Sequence, residues 1–148
     1  MSKSIGDIIG KRREKFSVDI DLPLRQVIGF MSDKNVGAVA VCDGEKVVGV
    51  FSERDLLRRV VHMGLDVDRI QVRDVMSSPA YWISIDERYE VAKAIMIDKG
   101  LRHLVVKDNE REFRGFVSSR ELLEADLSDS RDLVGKLNDD YYQHQFQP

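Results

Sequence analysis

Cysteine is all but absent from the 148 residues: Cys42 stands alone. No intrachain disulfide is possible, and a reducing, cytoplasmic setting is the expectation. Cys42 closes an apolar run from Ala38, the place of a small buried side chain rather than a nucleophile. No apolar run approaches membrane-spanning length, and the first residues lack the apolar stretch of a signal peptide. Positive charge is not in excess. The 23 Lys and Arg against 26 Asp and Glu give a net charge of −3, which removes the electrostatic reason to expect nucleic acid or an anionic membrane. Arg54, Arg58 and Arg59 form a small basic helix face that reads as solvated surface. There is no glycine-rich phosphate loop of the Walker or dinucleotide type. His62, His103 and His144 are scattered without metal-ligand spacing, and no histidine stands near Ser52 to activate it. Neither a metal site nor a catalytic residue is expected, and the chain is not read as an enzyme.

What the chain has instead is repetition. Val18-Asp19-Ile20-Asp21 returns as Ile83-Ser84-Ile85-Asp86, and Met31-Ser32-Asp33-Lys34 as Met96-Ile97-Asp98-Lys99. Val48-Gly49-Val50-Phe51-Ser52-Glu53-Arg54-Asp55 returns as Arg114-Gly115-Phe116-Val117-Ser118-Ser119-Arg120-Glu121, and Asp7-Ile8 is echoed by Asp74-Val75. A duplication whose offset drifts by a residue or two in the turns is two copies of one supersecondary unit. Two such copies favour a pseudo-two-fold arrangement, with ligand sites in the paired grooves between them.

Each copy reads strand, helix, strand, strand, helix, an α/β (α+β) plan of two βαββα units. In the first, Phe16 to Val18 is a strand, Asp21 caps a helix with Pro23 in its first turn, and Leu24, Val27, Ile28 and Met31 form its apolar face. Asn35 suits the left-handed residue that ends it. Val36 to Val41 is a strand buried on both faces, Asp43-Gly44 a tight turn, and Val47 to Phe51 the next strand. A helix follows from about Glu53 to His62. The second copy has its strand at Tyr81 to Ile83, Asp86 as cap, and Val91, Ala92, Ile95 and Met96 as the apolar face. Gly100 is its stop, Leu104 to Val106 and Phe113 to Val117 are its paired strands, and the last helix begins at Glu121. The expected boundaries are 4–63 for repeat one, 64–71 for a linker, 72–127 for repeat two, and 128–148 for a short helix and loose tail.

These phrases resemble the CBS domain, the module named after cystathionine beta-synthase, present here as a tandem pair of the kind called a Bateman module. The likeness rests on Val72-Arg73-Asp74-Val75-Met76, on Gly100 to Val106, and on Gly49 to Leu57, in that order and repeated. It departs where the family often carries Pro in a His-Leu-Pro-Val phrase: this chain has Leu104-Val105-Val106, and repeat one has Gly37-Ala38-Val39-Ala40. The resemblance implies a regulatory module that binds an adenosyl ligand between the repeats: AMP, ADP, ATP, S-adenosylmethionine or a dinucleotide such as NAD. It further implies a homodimer, with Leu57, Val60, Ala94 and Ile97 as contact candidates, and a separate regulated protein partner. The alternative is a structural dimerisation module with empty clefts.

Ser52-Glu53-Arg54-Asp55 marks a strand turning into a helix, where unpaired backbone donors favour an anion. Asp55 is a short acceptor suited to ribose hydroxyls. A serine followed three residues later by an acid is also a capping-box sequence, which needs no ligand. The residues admit both readings; the resemblance implies ribose binding by Asp55. Ser118 and Glu121 read mainly as a cap, because the longer Glu side chain reaches back to the cap backbone. Arg102 and His103 have no basic counterpart at Gly37 and Ala38, and strand alternation would turn only one of them to the cleft. In related modules, such as the regulatory subunit of the energy-sensing kinase, the aspartate of one repeat works with basic residues of the other. That implies Arg102, His103 and Arg120 on the phosphate, Ser52 and Arg54 beside Asp55, and adenine between apolar residues near Phe16, Val18, Val36 and Ala38.

Overall fold

The computed structural model describes residues 3–10 and 14–128. The expected C-terminal helix and tail lie beyond these residues, apart from Ser128. A leading helix α1 (Ile5–Ile9) is followed by β1 (Ser17–Asp19), α2 (Leu24–Lys34), β2 (Ala38–Asp43) and β3 (Lys46–Ser52). Next comes α3 (Glu53–Asp55), continued by a π-helical stretch, Leu56–Val61. After a 3-10 turn (Val72–Asp74), the second half runs β4 (Trp82–Ser84), α4 (Tyr89–Lys99), β5 (His103–Lys107), β6 (Phe113–Ser118) and α5 (Ser119–Leu127). Each half holds a three-stranded sheet. The order is β1-β2-β3 in one and β4-β5-β6 in the other, with the first pair parallel and the second antiparallel.

The central strands explain how the halves join. In β2, Val39 and Val41 enter a core with Leu24, Val27 and Met31 of α2. Ala40, of opposite parity, meets Val105 and Phe116 in a cluster shared by the two sheets. In β5, Leu104 and Val106 face the second core and Val105 faces the junction. Strands covered on both faces read as continuous apolar runs, which is why alternation was hidden in the sequence.

The segment ahead of each repeat packs on the other repeat. Ile5 and Ile9 of α1 are buried with Ile83, Ala92 and Met96, and the amides of Ile5 and Gly6 donate to the carbonyls of Glu87 and Ile85, both at 2.8 Å. Reciprocally, Val72 and Val75 enter the first core, and the Val72 amide donates to the Leu22 carbonyl at 3.0 Å. Fully burying such aliphatic side chains contributes roughly 1.5–3 kcal/mol each. The echo of Asp7-Ile8 in Asp74-Val75 is the sequence trace of this exchange.

Two expected caps are corrected. Asp21 and Asp86 lie ahead of their helices, which start after Pro23 and Arg88 without a side-chain cap. Pro23 presets the backbone (φ −56°, ψ 139°), and its missing N–H loses nothing at a helix start. Asp21 pairs with Arg73 instead. The helix stops at Asn35 and Gly100 are left-handed, at φ 55° and 66°.

Candidate functional site

A cavity of about 350 Å³ opens between the repeats. Its polar floor is Asp55, only 8% exposed. Ser52 closes the capping box: its amide and hydroxyl donate to Asp55 Oδ2 at 3.0 and 3.1 Å, and its oxygen accepts the Asp55 amide at 3.3 Å. The other oxygen, Oδ1, accepts the Ser77 hydroxyl at 2.8 Å and stands 3.5 Å from Arg59 Nε. A carboxylate has about four acceptor positions, and three are filled by hydrogen bonds, so Asp55 is both a cap and a lining residue of the cavity.

The segment carrying Ser77 is held against β3. Val50 and Ser77 exchange both backbone hydrogen bonds, at 2.9 and 2.8 Å. Gly49 makes this possible: a Cβ there would stand 2.7 Å from Met76 Sδ and 2.8 Å from the Ser77 carbonyl oxygen. The same segment supplies an apolar wall of Pro79, Ala80 and Tyr81, completed by Val50 and Leu101.

Arg54, Arg59 and Arg102 bring guanidinium groups to the lining, and His103 an imidazole. Arg54 donates to the Gly100 carbonyl at 2.8 Å, bridging the repeats, and Arg59 donates to the Met76 carbonyl at 3.1 Å. Arg102 and His103 both reach the cavity, against the expectation that one would turn away. Arg102 sits in the bend before β5, so strand alternation does not bind it. The His103 ring meets Phe116 edge to face at 6.2 Å. Burial pushes its imidazole below the ordinary value, against the upward pull of the Glu53 and Glu121 carboxylates, and nearby Arg102 depresses it further.

Of the expected site residues, the cavity gathers Ser52, Arg54, Asp55, Arg102 and His103. The apolar set is corrected. Val18 lies in the first core, with Phe16 and Val36 packed against that core, and Phe16 meets Phe30 edge to face at 6.5 Å. Ala38 is 4% exposed inside the central strand. From this stretch Gly37, the residue just before β2, reaches the lining instead. Arg120 is corrected too. It is largely exposed and paired with Glu124 at 3.2 Å, away from the cavity. Ser118 and Glu121 also lie outside the lining; they close a second capping box, with three contacts of 3.2 Å. Sequence reading missed Arg59, taken as solvated surface, and the segment 77–81, where Pro79 and a pair of serines just ahead of a strand were the available signal.

A buried acceptor pair, an apolar wall and guanidinium groups around one cavity suit a ligand that joins a polyol to a flat apolar group and an anion. Among the described residues, no cluster of three or more His, Cys, Asp or Glu side chains could hold a metal ion. No described helix is long and apolar enough to cross a membrane.

Comparison with known proteins agrees with this architecture. An uncharacterized protein of Methanopyrus kandleri is 32% identical over 128 residues, covering 84% of this chain and 63% of its own length. The chain thus spans less than two thirds of that relative. A protein with CBS domains from Burkholderia ambifaria superimposes with a TM-score of 0.81 at 24% identity, covering 86% of this chain and 96% of its own. A CBS domain protein from Pyrobaculum aerophilum, solved in complex with AMP, gives a TM-score of 0.73 at 24% identity, covering 92% and 98%. The CBS domain profile matches twice, at residues 5–62 and 72–128, so the chain belongs to the CBS-domain family as a tandem pair.

Proposed function

We propose that the chain is a regulatory module that binds an adenine nucleotide in the Asp55 cleft and reports its level to a separate protein partner. The observation that carries this reading is the buried Asp55 carboxylate in the lining of a cavity that also holds Tyr81, Ala80, Leu101 and Arg102. In this reading Asp55 Oδ1 and Ser77 meet the ribose, the apolar wall takes the adenine and Arg102 takes phosphate. A cavity of about 350 Å³ is at the small end of the roughly 300–1,000 Å³ of ligand pockets, which favours AMP over a dinucleotide such as NAD. The AMP complex of the Pyrobaculum aerophilum protein supports the choice of nucleotide. The lone Cys42 fits a cytoplasmic setting.

The homodimer belongs to the same proposal. Leu57, Val61, Ile97 and Leu123 are helix residues between 60% and 81% exposed, a cost that a second copy would relieve. Val60, an expected contact, is 1% exposed in the first core and drops out. A structural dimerisation module with empty clefts is the second reading. It is favoured by one observation: in both Ser-x-x-acid turns the acid is bonded within its own capping box.

Native mass spectrometry of freshly purified protein tests both. The expected result is a dimer carrying a co-purified adenine nucleotide, with a melting temperature that rises on adding AMP. A dimer that neither retains nor is stabilised by AMP, ADP, ATP, S-adenosylmethionine or NAD overturns the nucleotide reading. A monomer at micromolar concentration overturns the dimer.

A further inference from the structure

The cations around the cleft are not equivalent. Arg54 is docked on the Gly100 carbonyl, and Arg59 is docked on the Met76 carbonyl and beside Asp55. Arg102 makes no side-chain hydrogen bond or ion pair among the described residues and lines the cavity. One guanidinium therefore stands ready for an anion without breaking an existing contact.

The same lining includes an acid. Glu53 also lines the cavity, its amide fixed to the Gly37 carbonyl at 3.0 Å. Its Oε1 lies 3.3 Å from the point a Cβ on Gly37 would occupy, and His103 Cε1 lies 3.6 Å from the same point. The carboxylate and the imidazole thus share the space over a bare glycine, on the side of the cleft where Arg102 joins β5. Burial disfavours the charged imidazole, so His103 does little to offset the negative charge of Glu53 near neutral pH. A single phosphate can pair with Arg102. A second or third phosphate brings further negative charge onto a rim whose other guanidiniums are already bonded and whose Glu53 repels it.

We propose that Glu53 sets the number of phosphates the cleft accepts, selecting a nucleoside monophosphate against its di- and triphosphate. The inference rests on the adenine-nucleotide reading of the Asp55 cleft and assigns a specificity role to Glu53 within it.

The test is calorimetric titration with AMP, ADP and ATP, without divalent cations and at fixed ionic strength, on the unaltered chain and on Glu53→Gln. The expected order is AMP tighter than ADP tighter than ATP, each added phosphate weakening binding by roughly threefold to tenfold. Glu53→Gln should shrink each step while leaving the melting temperature unchanged, since the side chain is exposed and its backbone bond remains. Glu53→Ala should behave like Glu53→Gln. ATP binding as tightly as AMP to the unaltered chain overturns the inference, as does an AMP-to-ATP ratio that survives Glu53→Gln or changes only in Glu53→Ala. If no adenine nucleotide binds at all, the reading of the cleft falls and this inference falls with it; a flat series among ligands that do bind overturns the inference alone.

Discussion

The two repeats carry the same turn, and only one of the turns lines the cavity. Ser52 with Asp55 and Ser118 with Glu121 make the same capping box, with donor–acceptor distances between 3.0 and 3.3 Å in both. The difference lies in what the acid does next. In Asp55 one oxygen caps while the other accepts the Ser77 hydroxyl, and the residue lines the cavity. In Glu121 too a single oxygen, Oε1, takes both serine donors, but the residue lies outside the lining of the 350 Å³ cavity and borders a smaller one of about 200 Å³ with Lys3, Asp7 and Glu124. A capping box and a ligand site are therefore compatible, and what separates the two turns is the wall of Pro79, Ala80 and Tyr81 beside Asp55.

The sharpest break of this comparison is Asp55→Ala against Glu121→Ala. Asp55→Ala should weaken AMP binding by on the order of 1.5–3 kcal/mol, about tenfold to 150-fold, through lost charge-assisted bonds. It should also lower stability, because Ser52 and Ser77 lose their shared acceptor. Glu121→Ala should cost about 1 kcal/mol of stability as a lost cap contact and leave AMP affinity nearly unchanged. Calorimetry that found equal affinity losses would make the two turns equivalent.

The wall offers a second comparison. Gly49 and Gly115 are equivalent by repeat. A Cβ on Gly49 collides with Met76 and the Ser77 carbonyl, whereas the nearest described atom to one on Gly115 is the Glu14 carbonyl oxygen at 3.9 Å. Gly49→Ala should cost about 1–3 kcal/mol through overpacking and also weaken AMP, because Ser77 must move off Asp55. Gly115→Ala is strained for another reason, its φ of 120°. It should lower the melting temperature while sparing affinity. Denaturant titration paired with AMP binding separates the two outcomes.

The repeat, the order of elements and the left-handed stops at Asn35 and Gly100 were legible because each is local or periodic. So were the five cavity residues that the repeat or its asymmetry singled out. The adenine-side set failed for a topological reason. Phe16, Val18 and Val36 are expected at the adenine from the resemblance alone, yet the first sheet and α2 pack Val18 into the first core and Phe16 and Val36 against it. Ser77, Ala80 and Tyr81 reach the cavity only because the segment ahead of β4 crosses to pair with β3 at Val50, a non-local contact with no periodic signature. A separate crossing places α1 on the second core, which no reading of 4–63 as a self-contained unit can show.

The smallest effect to measure compares how strongly the two turns are felt at one point. His103 lines the first cleft and pairs in register with Ser118, the cap residue of the second. Its pKa is lowered first by burial and lowered again by Arg102, while the carboxylates of Glu53 and, less strongly, Glu121 pull it up. A histidine whose folded pKa lies below its unfolded value binds fewer protons when folded. Its contribution is therefore present above the unfolded pKa, about 6.5, and is lost as pH falls through that value toward the folded one. Stability measured by denaturant titration should decline over that window, and His103→Gln should flatten the decline. Bound AMP should raise the His103 pKa, because its phosphate favours the charged imidazole. Binding then takes up a proton and strengthens as pH falls through the bound-state pKa. The phosphate itself titrates near pH 6, so NMR must follow the imidazole directly. In the ligand-free protein, Glu53→Gln should lower the His103 pKa more than Glu121→Gln does, since the first carboxylate pulls harder. The reverse order would mean that His103 answers to the second turn rather than the first, and the contrast between the two repeats would have to be redrawn around Glu121.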